Sequence, residues 1–373
     1  MTVADRAYLG QALALAALAE TRARPNPRVG CVVVRDGTVV GRGFHVAPGR
    51  AHAEVEALDQ AGDSARGATL YVNLEPCAHH GRTPPCVDRI VAAGISAVVA
   101  SVQDPNPLVD GRGFAKLRDA GVRVDVGLLA EEARRLNAPF LHWHASGRPR
   151  VTLKVAVSLD GRSAAAGGAS RWITGTAARR FAHRLRLRHD AVIVGAGTVR
   201  IDDPSLDVRL PGVEAEHTPL RVVVGGTSPI PGCAKVFGGA RRARVYAATG
   251  AAAGLADLAE VVNVADRGGR VDLAEMLEDL GRIGVQSVLV EGGAALAGQF
   301  VARGLVDDLA VFVAPTLMGD LGGRPLAEFD APGSPAGAVA LAGCRRLALG
   351  SDTLWLATLR DEPEGGRRAC SPA

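Results

Sequence analysis

The chain alternates between two hydrophobic periods, which predict strands and helices in turn. Short apolar runs such as residues 29–34 are typical of buried strands, whereas residues 53–61 place their apolar positions on one face of a helix. Asp36-Gly37 is the dipeptide of a tight hairpin turn. In the first half the predicted strands are residues 29–34, 39–44, 68–74, 98–102 and 122–127, and the predicted helices are residues 8–19, 53–61, 86–93 and 114–120. This order predicts a three-layer α/β unit with a mostly parallel sheet.

The alternation returns after a polar stretch at residues 144–150, which contains Gly147 and Pro149. We therefore place a domain boundary there, with one domain at residues 1–146 and a second at residues 150–360. In the second domain the predicted strands are residues 151–157, 191–194, 220–224, 244–248, 260–264, 285–290 and 309–314, and the predicted helices are residues 176–187 and 294–301. Residues 361–373 combine Pro, Gly and charged residues and are predicted to be disordered.

Composition narrows the class of protein. A chain of 373 residues exceeds what one hydrophobic core usually supports, and 47% hydrophobic with 22% charged residues excludes disordered and fibrous proteins. The formal net charge of +4 is too small to indicate nucleic-acid binding. No apolar stretch reaches the roughly 18 residues of a membrane span, and the six cysteines show no disulfide spacing. We expect a soluble cytoplasmic protein with no nucleic-acid or membrane partner.

One constellation of residues indicates metal chemistry. Glu54 follows His52 by two positions, and Pro76-Cys77 is followed by Cys86. One imidazole and two thiolates are ligands that Zn²⁺ prefers, and three protein ligands leave a fourth position for water. This pattern is the signature of zinc deaminases, in which zinc activates water for attack on an amino-bearing ring carbon and the glutamate moves protons. We predict His52, Cys77 and Cys86 as zinc ligands and Glu54 as the acid-base group; two unrelated core cysteines are the simpler alternative.

Two further expectations concern this site. Cys86 follows Pro84-Pro85 at a predicted helix start, where the pKa of its thiol should be lowered and the thiolate favoured. Asn26 and His45 lie in loops near the motif and are candidate polar groups of the pocket, although a turn-forming Asn and a surface His fit the spacing equally well.

Polar groups in the second domain each allow two interpretations. Lys154 lies within an apolar strand and is either an edge residue or a buried functional amine. Arginines on or beside the helix at residues 176–187 occupy positions 179, 180, 184, 186 and 188. They form a solvated face or include phosphate ligands. Gly195-Ala196-Gly197 and Glu291-Gly292-Gly293 follow two strands and either connect strand to helix or bind phosphate. Neither turn matches Gly-x-Gly-x-x-Gly, which excludes a standard Rossmann site.

Several motifs together resemble one family. They are Pro25-Asn26-Pro27, His52-Ala53-Glu54, Glu75-Pro76-Cys77, His79-His80-Gly81-Arg82-Thr83-Pro84-Pro85-Cys86, Gln103-Asp104-Pro105-Asn106-Pro107, Ser158-Leu159-Asp160-Gly161 and Trp172-Ile173-Thr174. Over about residues 5–360 the chain resembles the bifunctional deaminase-reductases of riboflavin biosynthesis. The eight residues between Cys77 and Cys86 make the likeness specific, because nucleoside and nucleic-acid deaminases usually have Cys-x-x-Cys.

The resemblance implies a cytidine-deaminase-like three-layer α/β domain followed by a dihydrofolate-reductase-like α/β domain. The first would use Zn²⁺ to remove the 2-amino group of 2,5-diamino-6-ribosylamino-4(3H)-pyrimidinone 5′-phosphate as ammonia. The second would use NADPH to reduce the ribosyl group to ribityl. The expected binding partner is thus a phosphorylated pyrimidine substrate. The resemblance leaves open whether the chain forms a homo-oligomer.

The resemblance also assigns site residues. Cofactor contacts are expected at Ala156, Trp172, Thr198, Asp202, Gly293, Ala294, Ala295, Leu296, Ala297, Gly298 and Gln299. Substrate contacts in the reductase are expected at Lys154, Ser170, Arg186, Leu206, Arg209 and Glu291. The deaminase pocket is expected to include Asn26, His45, His80 and Arg82. One cofactor contact, made by Ser in some relatives, falls on Gly226 here, so that hydrogen bond is in doubt.

Two alternatives compete with this interpretation. A zinc deaminase of another base, with a non-catalytic nucleotide-binding second domain, predicts no NADPH-dependent activity. A zinc-stabilised binding protein would close the metal shell with a fourth ligand such as His79 or His80. Its zinc would be structural, so a Glu54→Gln variant would keep its zinc and lose no function.

Overall fold

A computed structural model describes residues 2–81, 84–170, 172–213, 218–226, 229–239, 241–248, 252, 254–265, 268–319, 321–330 and 332–359. Within it the chain divides into two compact units, the first ending at Arg148 and the second beginning at Pro149. The segment 361–373, predicted to be disordered, lies outside the described residues, as does Arg82. Among the described residues no helix is long and apolar enough to cross a membrane.

The first unit contains one five-stranded sheet with strand order β2-β1-β3-β4-β5. Its strands are β1 Gly30–Arg35, β2 Thr38–Phe44, β3 Thr69–Leu74, β4 Ala97–Val102 and β5 Arg123–Val126. Its helices are α1 Val3–Leu18, α2 Ala53–Ala61, α3 Cys86–Ala92, α4 Arg112–Asp119, α5 Ala130–Leu136 and α6 Ala138–Ser146.

Side chains that alternate along the strands build two cores. On β1, Cys31 and Val33 pack with residues of α2, α3 and α4, whereas Val32 and Val34 pack with α1. Successive side chains of a strand point to opposite faces of the sheet, so a fully apolar strand needs helices on both faces. The predicted three-layer architecture is confirmed.

The sheet of this unit is mixed, because four of its five strands run in one direction and β1 runs opposite to them. β1 pairs antiparallel with both β2 and β3, whereas β3 pairs parallel with β4 and β4 pairs parallel with β5. The antiparallel pairing of β1 with β3 was not predicted, whereas the predicted hairpin turn between β1 and β2 is present, with φ of 49° at Asp36 and 78° at Gly37. A two-residue turn with both φ values positive joins antiparallel strands. Helix α6 was also missed, and it runs through His144–Ser146, inside the stretch interpreted as a linker.

The second unit contains a nine-stranded sheet with strand order β11-β10-β9-β8-β12-β6-β13-β16-β15 and a small β14-β7 pair. Its strands are β6 Arg150–Ser158, β7 Arg162–Ala164, β8 Ala191–Gly195, β9 Leu220–Val224, β10 Ala243–Ala247, β11 Ala259–Asn263, β12 Ser287–Val290, β13 Asp308–Ala314, β14 Arg324–Pro325, β15 Leu341–Leu349 and β16 Asp352–Leu359. Its helices are α7 Thr176–Leu187, α8 Ala196–Asp202, α9 Leu273–Arg282 and α10 Ala294–Ala302.

The order of these strands predicts a binding crevice at the carboxyl ends of β8 and β12, in the middle of the sheet. Strand β8 continues through α8 to β9 on one side, whereas β12 continues through α10 to β13 on the other side. Neighbouring β8 and β12 are parallel, and the Glu291 N–H donates to the Ile193 carbonyl oxygen at 2.9 Å. Ligands of open α/β sheets bind where connections diverge in this way, at the carboxyl ends of the strands. Both predicted glycine turns lie there.

Candidate functional site

Three elements bring the predicted zinc ligands together. His52 is the N-cap residue of α2, Cys77 lies just beyond β3, and Cys86 is the first residue of α3. His52 Nδ1 lies 3.2 Å from Cys86 Sγ and 3.6 Å from Cys77 Sγ, and the three ligand atoms all lie within 4.8 Å of one another. Bonds of about 2.0–2.3 Å to a tetrahedral zinc place ligand atoms about 3.5–3.8 Å apart. The donor set and its spacing therefore fit zinc.

The two thiols have opposite pKa shifts. The hydrogen bond from the Cys86 thiol lowers the pKa of Cys77 to about 4. The same hydrogen bond, together with burial, raises the pKa of Cys86 above its ordinary value. The lowered pKa predicted for Cys86 was therefore wrong, because a thiolate at Cys77 outweighs the helix start as a neighbour. Zinc binding requires both ligands as thiolates and would release the shared proton.

Glu54 occupies the first turn of α2 beside the ligands, and only 3% of its surface is exposed. Burial raises the pKa of its carboxyl to about 7, and the charge of Cys77 adds to this shift. A general acid-base group is most effective when its pKa lies near the working pH. Glu54 thus has the environment of a group that takes up and returns protons.

His52, Cys77 and Glu54 line a cavity of about 420 Å³. Asn26 and His45 belong to its wall, where Asn26 Nδ2 lies 3.0 Å from His45 Nε2 and His45 Nδ1 lies 3.1 Å from the Ala51 carbonyl oxygen. A carbonyl only accepts, so Nδ1 carries the proton and Nε2 accepts from the Asn26 amide. Burial lowers the pKa of His45, which favours this neutral form. The pocket interpretation of both residues is supported over the surface one.

The cavity also contains residues that the sequence analysis did not assign to it. Asp104 and Asn106, from the motif at residues 103–107, line it, and burial raises the pKa of Asp104 to about 6. The polar residues of that motif were the sequence signal by which Asp104 and Asn106 could have been assigned to the cavity. His79 lines the cavity too, whereas His80 is exposed. Neither histidine joins the metal-ligand group among the described residues, so the alternative with a closed structural shell lacks its fourth ligand.

In the second unit a buried ion-pair cluster marks the crevice. Arg186 donates from Nε and Nη2 to the two carboxylate oxygens of Glu291 at 2.7 and 3.0 Å, and Lys154 Nζ lies 3.6 Å from Glu291 Oε2. Burial opposes ionisation of Glu291, but the charges of Arg186 and Lys154 hold its pKa at about 2. Lys154 lies on β6, between β12 and β13, so the edge-residue interpretation is wrong.

Other expected contact residues lie at the same end of the sheet. The Ser170 hydroxyl donates to Asp202 Oδ1 at 3.1 Å, and Gly293 faces the Thr198 hydroxyl across the two turns. Gly293 is the N-cap residue of α10, so the first N–H groups of that helix are available to an anion.

The remaining expected residues differ in accessibility. Trp172 is 68% exposed, with the Arg179 guanidinium 4.6 Å from its ring centroid. Ala156 lies on the same face of β6 as Lys154. Leu206 has φ of 55° and a buried side chain, which leaves only its backbone for a ligand. Among the expected contact residues of α10, Ala294, Leu296, Ala297 and Gly298 are buried, whereas Ala295 is exposed and Gln299 is half-buried.

The arginines on or beside helix α7 lie in two different environments. Arg180, Arg184 and Arg188 are exposed, as on a solvated face. Arg186 points inward, where it also donates from Nη1 to the Asp207 carbonyl oxygen at 3.0 Å. Arg209 follows in that loop, and its N–H donates to His183 Nδ1 at 3.2 Å while its side chain stays mostly exposed. One arginine of the series therefore belongs to the crevice.

Two family models match the two units. Residues 3–102 match the cytidine and deoxycytidylate deaminase zinc-binding region, and residues 149–350 match the RibD C-terminal domain. The riboflavin biosynthesis protein RibD of Bacillus amyloliquefaciens is 44% identical over 84% of this chain and 85% of its own length. The RibD protein of Aquifex aeolicus is 43% identical over 87% of this chain and 92% of its own length.

Solved structures agree with the sequence relatives. Acinetobacter baumannii RibD has a TM-score of 0.88 at 38% identity and covers 96% of this chain and 99% of its own. The diaminohydroxyphosphoribosylaminopyrimidine deaminase/5-amino-6-(5-phosphoribosylamino)uracil reductase of Thermotoga maritima has a TM-score of 0.84 at 33% identity, with the same coverage. The chain therefore belongs to the RibD family and is a bifunctional deaminase and reductase of riboflavin biosynthesis.

Proposed function

We propose that the first unit deaminates 2,5-diamino-6-ribosylamino-4(3H)-pyrimidinone 5′-phosphate and that the second reduces the ribosyl group of the product with NADPH. The observation that carries the proposal is the separation of two polar sites, a His-Cys-Cys group beside a buried glutamate and a Lys-Arg-Glu cluster at a strand crevice. The name of the Thermotoga relative describes the same two reactions.

In the deaminase site His52, Cys77 and Cys86 would hold the zinc ion. When bound there, zinc supplies a Lewis acid that lowers the pKa of water. Glu54 accepts a proton from water and delivers it to the substrate, so that a C–O bond replaces the C–N bond and ammonia leaves. Asn26, through its contact with His45, and Asp104 offer polar groups to the pyrimidine edge from the cavity wall.

In the reductase site NADPH would supply hydride to C1′ of the ribosyl group. The bidentate contact with Arg186 fixes the Glu291 carboxylate, and Glu291 in turn holds the Lys154 ammonium in the crevice. In this proposal Lys154 gives a proton to the ring oxygen that becomes a hydroxyl. Arg209, with an exposed guanidinium at the rim, is suited to the substrate phosphate.

The test is to incubate the purified full chain with the diamino-pyrimidinone phosphate, with and without NADPH, and to measure ammonia and NADPH separately. We expect ammonia release in both samples and NADPH oxidation only after deamination. Ammonia release without any NADPH oxidation would favour a deaminase with a non-catalytic second unit. Release of ammonia from cytidine but not from the diamino substrate would refute the substrate assignment.

A further inference from the structure

Glu75 makes an unusual set of contacts two residues before the ligand Cys77. Only 4% of its surface is exposed, and both carboxylate oxygens accept backbone N–H groups. Oε2 accepts from Asp104 at 3.2 Å and from Gly111 at 3.0 Å, and Oε1 accepts from Gly113 at 2.9 Å and from Phe114 at 3.2 Å. A single side chain therefore satisfies four N–H groups of another segment.

That segment consists of residues 103–111, which we call the cavity loop, and the start of α4, which follows the loop. The N-cap residue of α4, Gly111, offers no side-chain hydrogen bond, so the first N–H groups of the helix depend on an outside acceptor. A carboxylate at a helix start is also favoured by the helix dipole. Glu75 is that acceptor, although it is distant in sequence.

Two more contacts join α4 to the segment that carries Cys77. Lys116 Nζ donates to the Ala78 carbonyl oxygen at 2.9 Å. Gly113 packs so closely that an added Cβ would overlap the Pro76 carbonyl oxygen. The start of α4 thus contacts the zinc-ligand segment at Glu75, Pro76 and Ala78. The cavity loop that precedes α4 places Asp104, Asn106 and Val109 in the cavity wall.

We propose that Glu75 is a positioning residue of the deaminase site, which fixes the cavity loop at the distance from the zinc ligands that the pyrimidine requires. Glu75 touches no reacting atom in this role. The Glu75 carboxylate holds the cavity loop by hydrogen bonds, whereas Cys77, two residues later, would bind the metal. The inference rests on the proposed deaminase function of the first unit.

The test is Glu75→Gln, which keeps the shape but replaces one accepting oxygen by an NH₂ group facing N–H donors. We expect KM for the diamino substrate to rise about tenfold or more, as loss of charge-assisted hydrogen bonds to the loop predicts, with kcat within about threefold. Zinc content and NADPH-dependent reduction should stay at the wild-type level. Glu56→Gln makes the same chemical change at an exposed site of α2 and should alter neither constant.

Gly113→Ala provides a second test, because its Cβ would overlap the Pro76 carbonyl oxygen and crowd Glu75 Oε1, which displaces the start of α4 while the Glu75 carboxylate is retained. It should also raise KM. An unchanged KM in Glu75→Gln, or a loss of zinc with a normal reductase, would overturn the proposal. If Glu75→Gln does not fold, hydrogen exchange of the zinc-loaded wild type decides: the Gly111, Gly113 and Phe114 amides must be protected. Failure of the wild type to deaminate the substrate would instead refute the proposed function.

Discussion

Replacing Arg186 by methionine should destabilise the second unit through the carboxylate that it leaves behind. Methionine retains the apolar stem but removes both hydrogen bonds to Glu291, whose side chain is 8% exposed. Lys154, at 3.6 Å, becomes the main remaining countercharge. Removing one partner of a buried ion pair typically costs about 3–5 kcal/mol.

The pKa of Glu291 gives a second estimate of the free energy of unfolding that is lost when Arg186 is replaced. A value of about 2 instead of 4.5 corresponds, at about 1.4 kcal/mol per unit, to about 3 kcal/mol shared by Arg186 and Lys154. Because this pKa is lowered by folding, the stabilisation is fully present above about pH 4.5 and is lost as the pH falls towards 2. We therefore expect Arg186→Met to lower the unfolding free energy by about 2–3 kcal/mol at pH 7 and by less near pH 3.

The assay is urea unfolding of the full chain, followed by tryptophan fluorescence, with zinc release as a separate monitor of the first unit. Arg184→Met is the matched control, because Arg184 is exposed on the same helix and its loss should cost less than about 0.5 kcal/mol. The reasoning is refuted if both variants are equally stable at pH 7, or if the difference between them does not shrink on acidification.

Three further predictions concern metal, cofactor and packing. The wild type should bind one zinc per chain, and Cys77→Ser or Cys86→Ser should lose it by elemental analysis; full retention in either variant contradicts the ligand assignment. NADPH should be a better reductant than NADH in steady-state assays, because the family resemblance implies NADPH as the reductant, and equal efficiency would count against this. Gly298→Ala should cost about 2 kcal/mol in urea unfolding, since its Cβ would overlap the Glu328 carbonyl oxygen; wild-type stability would show that α10 can shift.

Local patterns were sufficient for much of the fold. The Asp36-Gly37 turn, helix α2 and the parallel strands around β12 follow from short-range periodicity and turn chemistry. Strand pairing across distant segments does not, so the antiparallel contact of β1 with β3 was missed. The added pair β15–β16 was also missed, because the residues of β15 are mostly exposed and lack a buried-strand pattern.

The candidate sites show the same division. Ligand spacing in the motif was enough to bring His52, Cys77 and Cys86 within reach of one ion. It was not enough to order the pKa values of the two thiols, which depend on their mutual hydrogen bond. The contacts of Glu75 join residues 29 to 39 positions apart in the sequence, and only the folded chain reveals such an acceptor.

The most direct measurement of the central claim is a comparison of the two activities in Glu54→Gln. A positioned acid-base group contributes about 10²- to 10⁴-fold, so ammonia release from the diamino substrate should fall by that factor while zinc stays bound. The same protein, given the deaminated aminouracil ribosyl phosphate, should oxidise NADPH at the wild-type rate, because Lys154, Arg186 and Glu291 belong to the other unit. Loss of NADPH oxidation in folded Glu54→Gln protein, or unchanged ammonia release, would contradict the account.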